Sequence, residues 1–104
     1  MSGHQRLLVR RLKGHTGWVN SVCVTPDYKH VVSASGDEII RITQIRDGKL
    51  IREIKGHRHR VSSVCVTPDG KYLVSRDKHG YRITRIEDGE LVYKITLHNS
   101  FHNT

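Results

Sequence analysis

Acidic residues are in short supply in this chain of 104 residues: ten Asp and Glu stand against eighteen Lys and Arg, a formal net charge of +8. Such a balance raises the local concentration of acidic proteins and of nucleic acid through long-range attraction. Long apolar runs are missing as well. Leu7-Leu8-Val9 is the longest near the start, too short for the apolar region of a signal peptide and far short of a membrane span, so a cytoplasmic protein with no membrane partner is expected. Aromatic side chains are few, and with Phe101 in the tail and the tyrosines scattered, the interleaving of a base-stacking surface is absent. No segment sustains a helical period. Glycines stand singly at turns, which leaves no phosphate-cradling loop, and neither Cys-x-x-Cys nor His-Glu-x-x-His accompanies His57, His59, His98 or His102. Neither a metal nor another cofactor is therefore expected. The two cysteines sit in Val22-Cys23-Val24 and Val64-Cys65-Val66, where they read as buried, reduced thiols acting as small hydrophobes rather than as a disulfide.

What is present is repetition. Val22-Cys23-Val24-Thr25-Pro26-Asp27 recurs letter for letter as Val64-Cys65-Val66-Thr67-Pro68-Asp69, and Gly14-His15 recurs as Gly56-His57, all at an offset of 42. That is the period of a repeat architecture. A third set of segments lines up with itself: Leu8 to Leu12, Leu50 to Ile54 and Leu91 to Ile95. The chain thus reads as a single domain over 1–104, with a spare outer strand at 6–13, a first repeat at 14–54, a second at 56–95 and a polar tail at 96–104.

Each repeat divides into four strands, and the Val and Ile that dominate the apolar residues suit pleated, half-buried strands. The first repeat predicts strands over Val19 to Thr25, His30 to Ala34, Ile39 to Ile45 and Leu50 to Ile54. Pro26-Asp27, Ser35-Gly36-Asp37 and Asp47-Gly48 mark the turns between them. The second predicts Val61 to Thr67, Tyr72 to Ser75, Tyr81 to Ile86 and Leu91 to Ile95, with Asp69-Gly70 and Asp88-Gly89 at turns. The expected fold class is all-β: two four-stranded antiparallel blades plus one extra N-terminal strand.

In Gly14-His15, Val19-Asn20-Ser21-Val22, Pro26-Asp27, Ser33-Ala34-Ser35-Gly36-Asp37 and Ile40-Arg41-Ile42 the chain resembles the WD-repeat β-propellers, over roughly residues 7 to 98. The Trp-Asp dipeptide that names that family is absent, replaced by Thr43-Gln44 and Thr84-Arg85. The second hairpin, Ser75-Arg76-Asp77-Lys78-His79-Gly80, is one residue shorter than the first. The resemblance implies a buried hydrogen-bond network at His15, Ser33, Asp37 and Thr43 and at His57, Ser75 and Thr84, rather than the hydrolytic triad that Ser, His and Asp also spell. Asp77 joins it only if the shortened hairpin shifts register. No enzyme is expected.

The same resemblance places Trp18 and Asn20, and their counterparts Arg60 and Ser62, on the rim where such rings present contact residues. With Arg58, these make a basic partner-binding rim, in keeping with the enrichment of Trp and Arg at binding hot spots. The other charges, Arg41, Arg46, Lys49, Arg52, Arg82 and Arg85, read as a solvated face. Two blades alone leave apolar faces open, whereas repeats of this kind usually need about three units. The expectation is a partial propeller acting as a protein-interaction scaffold for an acidic protein partner, assembling as a homo-oligomer through its open faces and by strand exchange of residues 6–13. The alternatives are a nucleic-acid-binding basic module, or a propeller fragment with no independent function.

Overall fold

The computed structural model describes residues 17–97. Eight strands follow one another: β1 (Val19–Val24), β2 (His30–Ser35), β3 (Ile40–Gln44), β4 (Leu50–Ile54), β5 (Ser63–Val66), β6 (Tyr72–Asp77), β7 (Gly80–Arg85) and β8 (Leu91–Thr96). They form two antiparallel meanders, β1-β2-β3-β4 and β5-β6-β7-β8, and no helix occurs among the described residues. These are the two sheets that the repeat predicts. The extra N-terminal strand at 6–13, His15, His98 and most of the polar tail lie outside the described residues.

The Thr-Pro-Asp turns show how strictly local sequence acts here. Thr25 Oγ1 donates to Asp27 Oδ1 at 2.6 Å, Lys29 N donates to the same oxygen at 2.9 Å, and His30 N returns to Thr25 Oγ1 at 3.1 Å. Thr67, Asp69, Lys71 and Tyr72 repeat the arrangement at 2.6, 2.9 and 3.1 Å. One position differs. Gly70 adopts φ +73° with no Cβ to object, whereas its counterpart Tyr28 is forced to φ +61°, a region costly for side chains.

The pleat sends alternate residues to opposite faces. On one face of the first sheet lie Cys23, Val32 and Ile42 with Ala34, Ile40 and Ile54. This face packs on Val61, Val64, Leu73 and Val66 of the second repeat, and the core of the molecule sits between the sheets. Complete burial of a side chain such as Leu73 stabilises the pair by roughly 1.5–3 kcal/mol. Polar contacts align the sheets: Asn20 Nδ2 donates to Val61 O at 3.0 Å, Val64 N donates to Ser21 Oγ at 3.1 Å, and the Arg52 guanidinium donates to the carbonyls of Glu87 and Asp88 at 3.1 and 3.2 Å.

Two expectations need correction. Cys65 is exposed and only Cys23 is partly covered, though both thiols are free. The reason is that β5 turns Val64 to the first sheet and Cys65 to the opposite, open face. Burial pushes the Cys23 thiol upward in pKa, partly offset by the Val66 backbone. Arg41 is also misread as a solvated charge. It is 6% exposed, and Ser33 and Ser35 are buried with it, as Val32 and Ala34 are on the other face of the central strands.

Candidate functional site

The second sheet assembles the polar network in full view. His57, which precedes β5, is held between β6 side chains: its Nδ1 lies 2.8 Å from Asp77 Oδ2 and its Nε2 lies 2.7 Å from Ser75 Oγ. A carboxylate only accepts, so Nδ1 carries the hydrogen toward Asp77. Asp77 closes the hairpin too, accepting from His79 N at 2.8 Å and Gly80 N at 3.1 Å. Burial alone raises its pKa, but the His57 bond and these amides outweigh burial and leave the carboxyl below its usual range. Asp77 thus enters the network by the register shift that the short hairpin requires: β6 runs to Asp77 and pairs it with Gly80. Only glycine fits at 80, because a Cβ there would overlap the Ile95 carbonyl oxygen.

A Ser-His-Asp series within bonding distance has the parts of a nucleophilic centre. Here Ser75 is 1% exposed beneath the packed sheets. Thr84 is buried on the same face but does not enter the bonded series. The trio ties the segment before β5 to the hairpin and keeps its own polar groups paired.

Of the corresponding space in the first sheet, the described residues show a part. Ser33 and Thr43 are buried there, and His15 lies outside the described residues. Asp37 accepts from Ser35 Oγ, from Ile39 N at 3.2 Å and from Arg41 Nη1 at 3.0 Å. Arg41 also donates through Nε to Glu53 Oε2 at 3.1 Å and approaches the same oxygen through Nη2 at 3.0 Å. An Asp–Arg–Glu cluster therefore spans the loop, β3 and β4.

The candidate partner-binding residues are only partly gathered. Trp18 is 88% exposed, and its carbonyl accepts from Gly36 N at 3.0 Å. Arg60 lies over the same glycine, with Nε 3.7 Å from the place of a Cβ, so Trp18 and Arg60 flank one point on the surface. Ser62 donates to Arg76 O at 3.1 Å. Asn20 is exposed, and its amide donates to the Val61 carbonyl across the two sheets. Arg58 belongs to a neighbouring cavity rather than to the Trp18 surface.

Two basic hollows went unnoticed in the linear sequence. A groove beside Arg60 is lined by His59, Ser62, Arg76, Asp77 and Lys78, and the Arg76 guanidinium sits 5.4 Å from the Tyr81 ring centroid, within cation–π reach. Next to it, Arg58, His59, His79, Arg82 and Lys94 line a cavity whose only acid among the described residues is Asp77. The signal was available at the repeat offset: Arg76 stands where the first repeat has Ala34, and Lys78 where it has Gly36.

Comparison with known proteins agrees with this architecture. The family model described as WD domain, G-beta repeat matches residues 6–43 and 48–80. Among curated proteins, the chain is 42% identical over 43 residues to the pre-mRNA-splicing factor PRP46 of Yarrowia lipolytica, covering 41% of this chain and 10% of that protein. It is 46% identical over 37 residues to the nuclear distribution protein PAC1 of Candida albicans, covering 36% and 8% respectively. Among solved structures, the WD40 repeats of RRP9 superpose with a TM-score of 0.83 at 29% identity, over 86% of this chain and 29% of that one. The structure of U3-55K matches equally, with a TM-score of 0.83, 29% identity and coverage of 86% and 30%. The chain therefore spans a tenth or less of the curated relatives it matches.

Proposed function

The chain belongs to the WD-repeat β-propeller family, and from that premise we propose that it is a non-catalytic protein-interaction scaffold whose contact surface is the basic rim at Trp18 and Arg60. The observation that supports this most is Trp18: a large aromatic ring, 88% exposed, at the entrance to the innermost strand and beside the Arg60 guanidinium, which has no acidic partner among the described residues. Trp and Arg dominate binding hot spots because each combines contact area with directed polar groups. The groove of His59, Ser62, Arg76 and Lys78 continues this surface and selects an acidic segment of a protein partner.

Titration with a labelled Glu-rich peptide, and in parallel with a single-stranded oligonucleotide of equal charge, tests the reading. Peptide binding weakened about thirtyfold or more by Trp18→Ala, the loss of a hot-spot residue worth about 2 kcal/mol, supports it. Binding of the oligonucleotide alone, abolished by moderate salt and by loss of Arg58 and Arg60 yet indifferent to Trp18→Ala, overturns it in favour of nucleic acid.

The scaffold also associates with further blades, and a second copy of the chain supplies them. β1 and β5 carry the same letters, yet Val64 is 7% exposed against the first sheet while its counterpart Val22 is 59% exposed and Val24 is 46% exposed. The open face of the second sheet offers Cys65, Val74, Ile83 and Tyr93 in the positions that in the first sheet receive β5. A contact of that kind is heterologous and either closes into a ring or extends. Strand exchange of residues 6–13 is the second route to assembly. Light scattering decides between them: Val22→Glu lowers the mass if the faces associate, deletion of residues 1–13 lowers it if strands exchange, and a monomeric native chain refutes both.

A further inference from the structure

The two repeats place one arginine at the same address and provide for it in different ways. Arg41 on β3 is paired across its sheet with Ser33 and Glu53, and Arg82 on β7 is paired with Ser75 and Lys94. In the first sheet Glu53 and Asp37 supply the carboxylates that Arg41 needs. In the second, Lys94 occupies the position of Glu53. Asp77 cannot serve in place of Asp37, because its carboxylate is already engaged by His57 and by the amides of His79 and Gly80. Arg82 and Lys94 consequently stand opposite one another with no acidic partner among the described residues, an arrangement that costs stability in a cross-strand pair.

The space left by the missing carboxylate is a cavity, and its other walls are also donors. Arg58, His59 and His79 line it with Arg82 and Lys94, and the two imidazole rings lie 4.3 Å apart, centroid to centroid. Gly56 lines it as well. A Cβ at that position would stand 3.0 Å from Arg82 Nη1, so a glycine there, at φ +135°, lets the guanidinium lie against the backbone. Three permanent cations with one engaged acid among them exceed what a single carboxylate neutralises. A phosphate monoester brings nearly two negative charges and three acceptor oxygens, which suits guanidinium forks, an ammonium group and ring N–H donors lining one cavity.

We propose that this cavity on the second sheet binds the phosphate of a phosphorylated side chain in a protein partner, where the first sheet holds its own Glu53. The site goes beyond the acidic-partner reading, which concerns Trp18 and Arg60 outside the cavity. It meets the basic groove at His59 and Asp77, which line both, so residues flanking the phosphate have a path along the surface.

Calorimetric titration of the full chain with inorganic phosphate tests the cavity by itself, since phosphate alone does not engage Trp18. A phosphoserine peptide, its unphosphorylated form and a 5′-phosphorylated oligonucleotide then identify the source. Saturable phosphate binding, and at least tenfold preference for the phosphopeptide over the unmodified peptide, are expected. Lys94→Glu restores the arrangement of the first sheet and places a carboxylate against Arg82, so it weakens phosphate binding at least tenfold while the thermal midpoint holds or rises. A misfolded variant does not give that pair of results. Arg82→Gln weakens binding to a similar extent, and Lys71→Gln, which removes the same charge from an exposed turn, changes it less than twofold. The proposal is overturned if wild-type chain shows no saturable phosphate binding, if Lys94→Glu binds as tightly, if Lys71→Gln weakens binding as much as Arg82→Gln, or if the oligonucleotide binds as tightly as the phosphopeptide.

Discussion

The first sheet seats Arg41 between Asp37 and Glu53, whereas the second sets Arg82 against Lys94 and gives its acid, Asp77, to His57. The difference lies in the place of the aspartate and in one reversed charge. Asp77 stands two residues after Ser75 where Asp37 stands four after Ser33; at the end of β6 it meets His57, while Asp37 reaches Arg41 from the loop. Replacing Glu53 by Lys94 then leaves the arginine open to an outside anion. Two modules with the same inner strand therefore differ at one arginine: Arg41 has two carboxylates, whereas Arg82 faces Lys94 with no acidic partner among the described residues.

The largest way to break this contrast is to remove the trio. His57→Ala leaves Asp77 and Ser75 buried without their partner and is expected to destabilise the chain by about 3 kcal/mol, read as a lower urea midpoint with an unchanged slope. Amide exchange then rises in β6 and β7 before it does in β2 and β3 if the trio supports its own sheet. Exchanging the charges is the next step. Glu53→Lys gives the first sheet the defect of the second and is expected to cost about 1.5 kcal/mol, since Arg41 keeps Asp37 and Glu53 is partly exposed. Its mirror, Lys94→Glu, should stabilise by about 0.5 kcal/mol. If both variants lower stability, the two arginines are not equivalent and the comparison fails.

A smaller effect resides in the first turn. Tyr28→Gly relieves the left-handed backbone that Gly70 occupies freely, and a gain of about 0.5–1 kcal/mol is expected after the added freedom of the unfolded chain is deducted. Gly70→Tyr should lose a similar amount, and thermal unfolding of the pair measures both. The finest separation uses pH. Because the folded pKa of Asp77 is depressed, its contribution is fully present above the normal carboxylate pKa of about 3.9 and is lost as pH falls through the lower folded value. Asp69, lowered first by its Thr67 bond and then by the Lys71 amide, follows the same sign. Stability profiles from pH 7 to pH 2.5 should therefore flatten in Asp77→Asn, and an unaltered profile would show that the trio is not titrating.

Local chemistry was readable directly. Thr, Pro and Asp in sequence determine the same turn twice, with equal bond lengths, because every partner lies within five residues. The strand order was readable too, since proline and Asp-Gly pairs end strands whatever surrounds them. Strand ends were less so: β6 continues two residues past Ser75 to Asp77, and β5 begins at Ser63 rather than Val61, because the ends depend on the partner strand. The site was legible only in pieces. His57 and Ser75 follow from the repeat, but the engagement of Asn20 between sheets and the separation of Arg58 from Trp18 do not, since both depend on how the second sheet is placed on the first.

The sequence by itself determined a two-fold repeat of four short strands, its turns and its excess positive charge, because alternation, turn chemistry and composition act over a few residues. Only the tertiary structure decided that Arg41 is buried and Arg82 is open, that Cys65 faces outward, and that identical valines are covered in one copy and bare in the other. Burial belongs to the packing of one sheet upon another. Two identical segments have different surroundings as soon as only one of them has a neighbour.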